Sequence, residues 1–405
     1  MILGSRTVPV TEAILYNGTL VRALDCNDVF FRYGPLGHPS DTIAVPLALA
    51  EQRRSSGDTF TTSVAAGYEL YWRLHELVLE PTGPDAPWDY SAVGALVAAA
   101  MAGLMLGLDE PALTHALAIA AVQGWPVRQV RTGQISMLKA SAGALSAQAG
   151  AQAALLAAAG MTGPPQAFEG KGGLLDALGV EATDELRDEL TSEIRDWHIL
   201  GVSTKPYPAV GTSQGVITAA LRVARAHDIR PAEIERVDVR IADTATTRRH
   251  LADQSRTDPR TRESADHSIA FLVAVALEDK AVGLDQYRGS RWLRPATREL
   301  MHRVTQTLDA DLRDSSESSY PASVAVTTRD GNSYRSEVIK VPGSRDNPLS
   351  DQDRTAKLRA LASGRLSPRR CDELAARFLN LGSEPDMSAA IALLRGTGDG
   401  RADGG

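Results

Sequence analysis

The chain has 405 residues, 43% hydrophobic and 23% charged, with a formal charge of −7. Length alone makes two or three domains the expectation, and the acidic balance excludes a generalised nucleic-acid surface. Its two cysteines, Cys26 and Cys371, supply neither a disulfide framework nor the thiolates of a zinc ribbon or an iron–sulfur cluster.

At the N-terminus, "MILGSRTVPVTEAIL" lacks the basic region, apolar stretch and small-residue cleavage site of an export signal, so a cytoplasmic location is expected. Residues 21–42, "VRALDCNDVFFRYGPLGHPSDT", then set Asp25, Asn27, Asp28, His38, Ser40 and Asp41 among glycines and prolines that disfavour a helix. His38 lies between Gly37 and Pro39, a sharp turn able to aim an imidazole into a cleft. Turn formation and capping of a helix that starts near Ile43 account for Ser40 and Asp41 equally well.

From about residue 41 to 160 the apolar positions keep a helical period, as at Leu70, Leu74 and Leu77 or Leu113, Leu117 and Ala120. The apolar run Ala92 to Leu108 contains Gly94, Gly103 and Gly107 and is slightly short for a membrane span, which predicts a buried core helix. Residues 139–160, "KASAGALSAQAGAQAALLAAAG", read as a helix that ends at Gly160 and lets its neighbours approach closely. Lys139 opens that stretch, where the helix macrodipole and burial both disfavour its charge and suit it to proton transfer or carboxylate binding. An exposed lysine is the alternative.

"STKPYPAVGTSQG", residues 203–215, crowds Lys205, Tyr207, Thr212, Ser213 and Gln214 around two prolines at the expected boundary between units. A ligand cleft and a plain linker fit it equally. Between 203 and 345 the pattern turns to period two in "VDVRI" (237–241) and "SVAVTTRDGNSY" (323–334), with Asp330-Gly331 as a hairpin turn. "ESADHSIAF" places Asp266 and His267 before an apolar helix, as its cap, as site residues, or both. "DQDRTAKLRALASGRL" and "DELAARFLNL" return to helical spacing, predicting that the C-terminus packs back on the first helices, and "GTGDGRADGG" is expected to be disordered. No histidine–carboxylate set has a recognised metal-ligand spacing, so no required metal is expected, and no GxGxxG, Walker or GxSxG motif occurs.

Six blocks in order resemble the MmgE/PrpD family: "NGTLVRALDCND", "GHPSDTIAVPLALAE", "GYELYWRL", "RTGQISMLKASAGALSAQAGAQAALLAAAGMTGPPQAFEGKGG", "STKPYPAVGTSQ" and "DPRTRESADHSIAFLVAVAL". The family includes 2-methylcitrate dehydratase, cis-aconitate decarboxylase and some polycarboxylate epimerases. The resemblance implies a mainly α fold, with a large, discontinuous all-helical domain over 1–202 and 350–395, a smaller α+β lid domain over 203–349, and the tail 396–405 beyond them. It also implies a homodimer through the helical domain and an active site between the two domains. Residue by residue, the family's catalytic aspartate, histidine and lysine fall on Asp25, His38 and Lys139, whereas Gln214 stands at the place of a lid histidine of the decarboxylase branch. The dehydratase branch also reads "SQ" there. Thr212 stands where that branch usually has a histidine, and Phe271 where an aromatic hydroxyl is common. Family members carry several dozen helical residues before the "NGT" block, which here begins at residue 17. The chain therefore reads either as a shortened active member or as one whose exposed apolar surface a partner covers.

The implied activity is that of a cofactor-independent lyase resembling 2-methylcitrate dehydratase, eliminating water from a β-hydroxy polycarboxylate by acid–base chemistry. In this reading His38 or Lys139 moves protons and Asp25 or Asp28 orients the histidine. Lys205, Tyr207, Thr212, Ser213 and Gln214, with Asn27, Ser40 and His267, hold the small-molecule substrate. No nucleic acid, membrane, cofactor or metal is expected. The alternatives are an epimerase or isomerase, a decarboxylase of a related acid in primary or specialised metabolism, and a non-catalytic partner subunit.

Overall fold

Small residues let the helices of the first half approach one another closely. The computed structural model describes residues 1–31, 35–83, 86–315 and 317–396, and helix accounts for 56% of it. Six long helices build the first half: α1 (Val10–Ala23), α2 (Ala44–Arg53), α3 (Gly57–Leu74), α4 (Gly94–Leu106), α5 (Glu110–Ala121) and α6 (Ala142–Ala158). A Cβ added at Gly150 of α6 would lie 2.0 Å from the Ala95 carbonyl oxygen of α4, and one at Gly18 of α1 would lie 2.9 Å from the Ala144 Cβ of α6. The α4–α6 contact is thus closed to any side chain at position 150 without a backbone shift. Helix α4 is buried along nearly its whole length, as its glycine-interrupted apolar run predicts. Among the described residues no helix is long and apolar enough to cross a membrane.

Two local expectations are corrected. The alanine-rich stretch begins with a separate 3₁₀ turn, Met137–Ala140, so Lys139 precedes α6 instead of opening it. Neither Ser40 nor Asp41 caps a helix: residues Pro39–Thr42 form a 3₁₀ turn that runs into α2, and the Ser40 hydroxyl donates instead to the Asp28 carboxylate.

The second half is built on a four-stranded sheet of β4 (Ile234–Ala242), β5 (Val304–Asp309), β6 (Ala322–Thr328) and β7 (Ser333–Val338), in the order β5-β4-β6-β7. Strands β4 and β5 are parallel and the other pairs antiparallel, with Asp330 and Gly331 in the β6–β7 turn and Gly331 at φ +87°. Ile234, Val237, Val239 and Ile241 of β4 point to the core, and helices Gln214–Ala226 and Ile269–Asp279 contribute to the same apolar cluster. The helices of the first half form a second cluster, which Met387, Ala390 and Ile391 near the C-terminus join. The amides of Gly57 and Met387 donate to the carbonyls of Glu384 (2.7 Å) and Ser55 (2.9 Å), fastening that segment to the helical half. The tail expected to be disordered falls, from residue 397 onward, outside the described residues.

A short three-stranded sheet lies at the seam. Strand β1 (Asp28–Phe31) pairs antiparallel with β2 (Pro35–Gly37) and with β3 (Ser203–Thr204), in the order β2-β1-β3. Because β3 opens the second half, this sheet ties the polar stretch after α1 to the first residues of the other unit.

Candidate active site

The turn between α1 and β1 is the centre of a buried ionic cluster. Asp25 takes a left-handed conformation there, φ +47°, which aspartate tolerates better than most residues, and is 2% exposed. Its carboxylate accepts from Arg22 Nη1 at 2.5 Å, Lys205 Nζ at 2.7 Å and Lys139 Nζ at 3.1 Å. Burial by itself would raise the Asp25 carboxyl, yet Lys139, Lys205 and Arg22 together hold it well below the usual carboxylate range. Burial lowers Lys139 against the pull of Asp25 and Asp266, and brings Lys205 down to about 8 against that of Asp25.

Three imidazoles surround this cluster. His38 Nδ1 lies 2.5 Å from the Asp28 carbonyl oxygen, and its backbone amide donates to the Tyr71 hydroxyl at 3.2 Å. An Nδ1–H donor leaves Nε2 with a free lone pair. Burial, then Arg22 and Lys205, hold His38 well below its ordinary value, so it is neutral near pH 7. His267 Nδ1 is bonded to the Asp266 carboxylate and lies 3.5 Å from Lys139 Nζ. Burial, then Lys139 and Arg256, keep it neutral as well. The helix that follows is capped by Ser268, whose hydroxyl accepts from the Phe271 amide at 3.4 Å, so the capping account of Asp266 is replaced by a role in the ionic cluster. His250 Nδ1 sits 2.9 Å from the Thr212 hydroxyl, and burial followed by Arg256 depresses its basicity.

These groups border a cleft of about 530 Å³, including its mouth, between the two halves. Of the candidates, Asp25, His38, Lys205, Thr212 and His267 line it, and Lys139 touches Asp25 and His267 directly. The rest are not brought to it. The Asp28 carboxylate receives Ser40, and it is the Asp28 main chain, not the carboxylate, that holds His38. Asn27 bridges Arg22 (2.9 Å) and Ser40 (3.1 Å). Ser213 donates to the Val210 carbonyl at 2.8 Å. Gln214 staples the loop before it, donating to the carbonyls of Tyr207, Ala209 and Val210 and accepting from the Tyr207 amide. Tyr207 packs against the core of the second half.

The residues that sequence reasoning missed are Arg22, Tyr90, Arg131, His250, Arg256 and Tyr320, all of which line the cleft. Arg22 and Arg131 lay inside stretches already singled out, whereas His250 and Arg256 carry no motif. Asp25, Asp266 and His267 bring potential ligand atoms within 4.8 Å of one another. Lys139 Nζ stands 3.1 Å, 3.7 Å and 3.5 Å from them, so its ammonium fills the place a cation would take.

The sequence matches known proteins over nearly its whole length. The profile of the MmgE/PrpD N-terminal domain matches residues 1–186 and that of the MmgE/PrpD C-terminal domain residues 207–381. The chain is 27% identical to the cis-aconitate decarboxylases of Mus musculus and Homo sapiens, over 96% of its own length and 79% and 80% of theirs. A cis-aconitate decarboxylase-like protein of Aspergillus oryzae is 26% identical over 96% of this chain and 83% of its own.

Proposed function

Because the chain belongs to the MmgE/PrpD family, we propose that it is a cofactor-independent lyase that moves a proton at the carbon beside a carboxylate of a small polycarboxylate. The observation that carries this reading is the neutral His38, held by a main-chain carbonyl beside the cations gathered on Asp25. In a dehydration, His38 Nε2 takes the proton α to a carboxylate, and the Lys205 or Lys139 ammonium protonates the departing hydroxide while opposing the charge that develops on the carboxylate. The α+β unit acts as the lid over this cleft, and the proposed homodimer covers exposed apolar side chains of the helical unit, Met137, Leu138 and Leu145 among them.

Decarboxylation is the second reading. The names of the relatives favour it, and Gln214, whose residue type spoke against it, lies outside the cleft. The deciding measurement is proton NMR in deuterated buffer with 2-methylcitrate, citrate and cis-aconitate. An alkene formed from a hydroxy acid supports dehydration, loss of carbon dioxide from cis-aconitate supports decarboxylation, and deuterium uptake without either makes the protein an isomerase. Spectra unchanged for all three acids would sink the polycarboxylate reading for this panel.

The pH profile carries a further expectation. Lys205 loses its proton through about pH 8, so kcat/KM is expected to fall on the alkaline side of that value as the cleft loses a cation. Lys205→Arg, which stays charged but gives up no proton, moves that limb to higher pH where Lys139 is the proton donor and abolishes turnover where Lys205 is. An unshifted limb assigns it to another group.

A further inference from the structure

The cations of the cleft differ in how completely the protein satisfies them. Lys139 and Lys205 converge on Asp25, and Arg22 reaches Asp25, Asn27, Tyr90 and, at 3.7 Å, Asp41. Three cleft arginines each keep one buried nitrogen without a hydrogen bond among the described residues, but the Arg22 Nε faces the Asp41 carboxylate at 3.7 Å, which leaves Arg131 and Arg256 without an anion near theirs. Arg131, in the 3₁₀ turn Arg128–Arg131 of the helical half, spends Nε (2.6 Å) and Nη2 (3.1 Å) on Asp89, and its guanidinium lies 4.0 Å over the Tyr90 ring. Its Nη1 is buried with no hydrogen-bond partner among the described residues. Arg256, in the helix Gln254–Thr257 of the other half, gives Nε to Asp253 at 3.3 Å, and its Nη1 is likewise buried and unmatched. Both line the cleft, and the Ser255 hydroxyl donating to the Gly133 carbonyl at 2.9 Å fixes the two segments relative to each other.

We propose that Arg131 and Arg256 are a pair of carboxylate clamps, one from each half, and that the substrate is an acid carrying at least two carboxylates that together engage both. Asp89 takes the Nε–Nη2 edge of Arg131 and Asp253 takes Nε of Arg256, which orients each guanidinium and leaves its Nη1 unmatched, and a planar guanidinium suits a carboxylate better than a hydroxyl or a carbonyl. A monocarboxylate satisfies one clamp and leaves the other buried and unmatched, which is how the site rejects it. A dicarboxylate or tricarboxylate joins the halves and favours the closed cleft. The inference rests on the polycarboxylate reading and adds which residues count the carboxylates.

Isothermal titration calorimetry on the full chain tests it with propane-1,2,3-tricarboxylate, which has no hydroxyl to lose, and with glutarate and butyrate. The wild-type protein is expected to bind the tricarboxylate and glutarate and to bind butyrate far more weakly. Arg131→Gln and Arg256→Gln are each expected to weaken tricarboxylate binding about tenfold to a hundredfold, the worth of a charge-assisted hydrogen bond. Arg131→Lys, which keeps the charge and loses the fork, falls between and serves if the glutamine variant does not fold. Arg298→Gln is the control, since Arg298 also carries a buried, unmatched Nη1 but lies outside the cleft; it is expected to bind as the wild type does. Wild-type affinity in both glutamine variants overturns the clamps and leaves the lyase reading standing. Absence of binding by the wild-type protein to every acid overturns that reading and the clamps with it.

Discussion

Asp25→Ala is expected to destabilise the protein by about 3–5 kcal/mol, the cost of breaking a buried ion pair by removing one partner. The carboxylate that is lost is shared by Arg22, Lys139 and Lys205, each itself buried. Arg22 retains Asn27, Tyr90 and Asp41, and Lys139 retains Asp266 at 3.7 Å. Among the described residues Lys205 keeps only the main-chain oxygen of residue 25, at 3.2 Å, and so sheds its proton most readily. Asp25→Asn preserves the shape and removes the charge, so it too is expected to lose most of this stability. Urea denaturation at pH 7, followed by circular dichroism, measures both. A loss below about 1 kcal/mol, typical of an exposed pair, would mean that the three cations do not depend on Asp25. The pH dependence has a definite sign. The folded-state pKa of Asp25 lies below its unfolded value near 4, so the stabilisation is present above that value and is lost as pH falls through the folded pKa.

His38→Asn is expected to reduce turnover by about 10²- to 10⁴-fold, the usual worth of a positioned general base, with little change in stability. The asparagine side-chain amide can donate to the Asp28 carbonyl as Nδ1–H does, and the bond from the backbone amide of residue 38 to the Tyr71 hydroxyl is untouched. What disappears is the Nε2 lone pair. Steady-state kinetics on the substrate identified by NMR, with thermal melts alongside, separate the two effects. Wild-type kcat/KM in His38→Asn would remove His38 from the mechanism and leave His267 or Lys139 as the base.

The features legible in the sequence were those with a local cause. Alanines and glycines at helical spacing announced close packing, and Gly150 against Ala95 is that packing realised. Asp330-Gly331 announced the β6–β7 turn. Asp25, His38 and Lys139 had bland local explanations, in turns, caps or an exposed lysine, and it was the family resemblance that singled them out; the structure gathers them around one cleft. The roles that misled were those decided by where a loop runs. Ser213 and Gln214 offer polar groups that suit a ligand, and only the path of residues 207–210 turns them toward main-chain carbonyls instead. His250 and Arg256 were invisible for the converse reason. They sit in short helices whose local pattern says nothing of a cleft, and the contacts that place them there, His250 with Thr212 and Ser255, beside Arg256, with Gly133, join segments distant in the chain.

The pairing of Asp25 with Lys205 also has a consequence for synthesis on the ribosome. The two residues are 180 positions apart, and β1, next to Asp25, cannot pair with β3 before residues 203 and 204 have been made. At typical elongation rates of about 5–20 residues per second, the nascent helical half waits on the order of ten seconds or more for these partners. Over that interval its α1–β1 turn holds an incomplete set of charges and an open strand edge. The first half is therefore expected to be the stretch of the nascent chain most in need of chaperone protection, and the emergence of β3 is the event that ends that need.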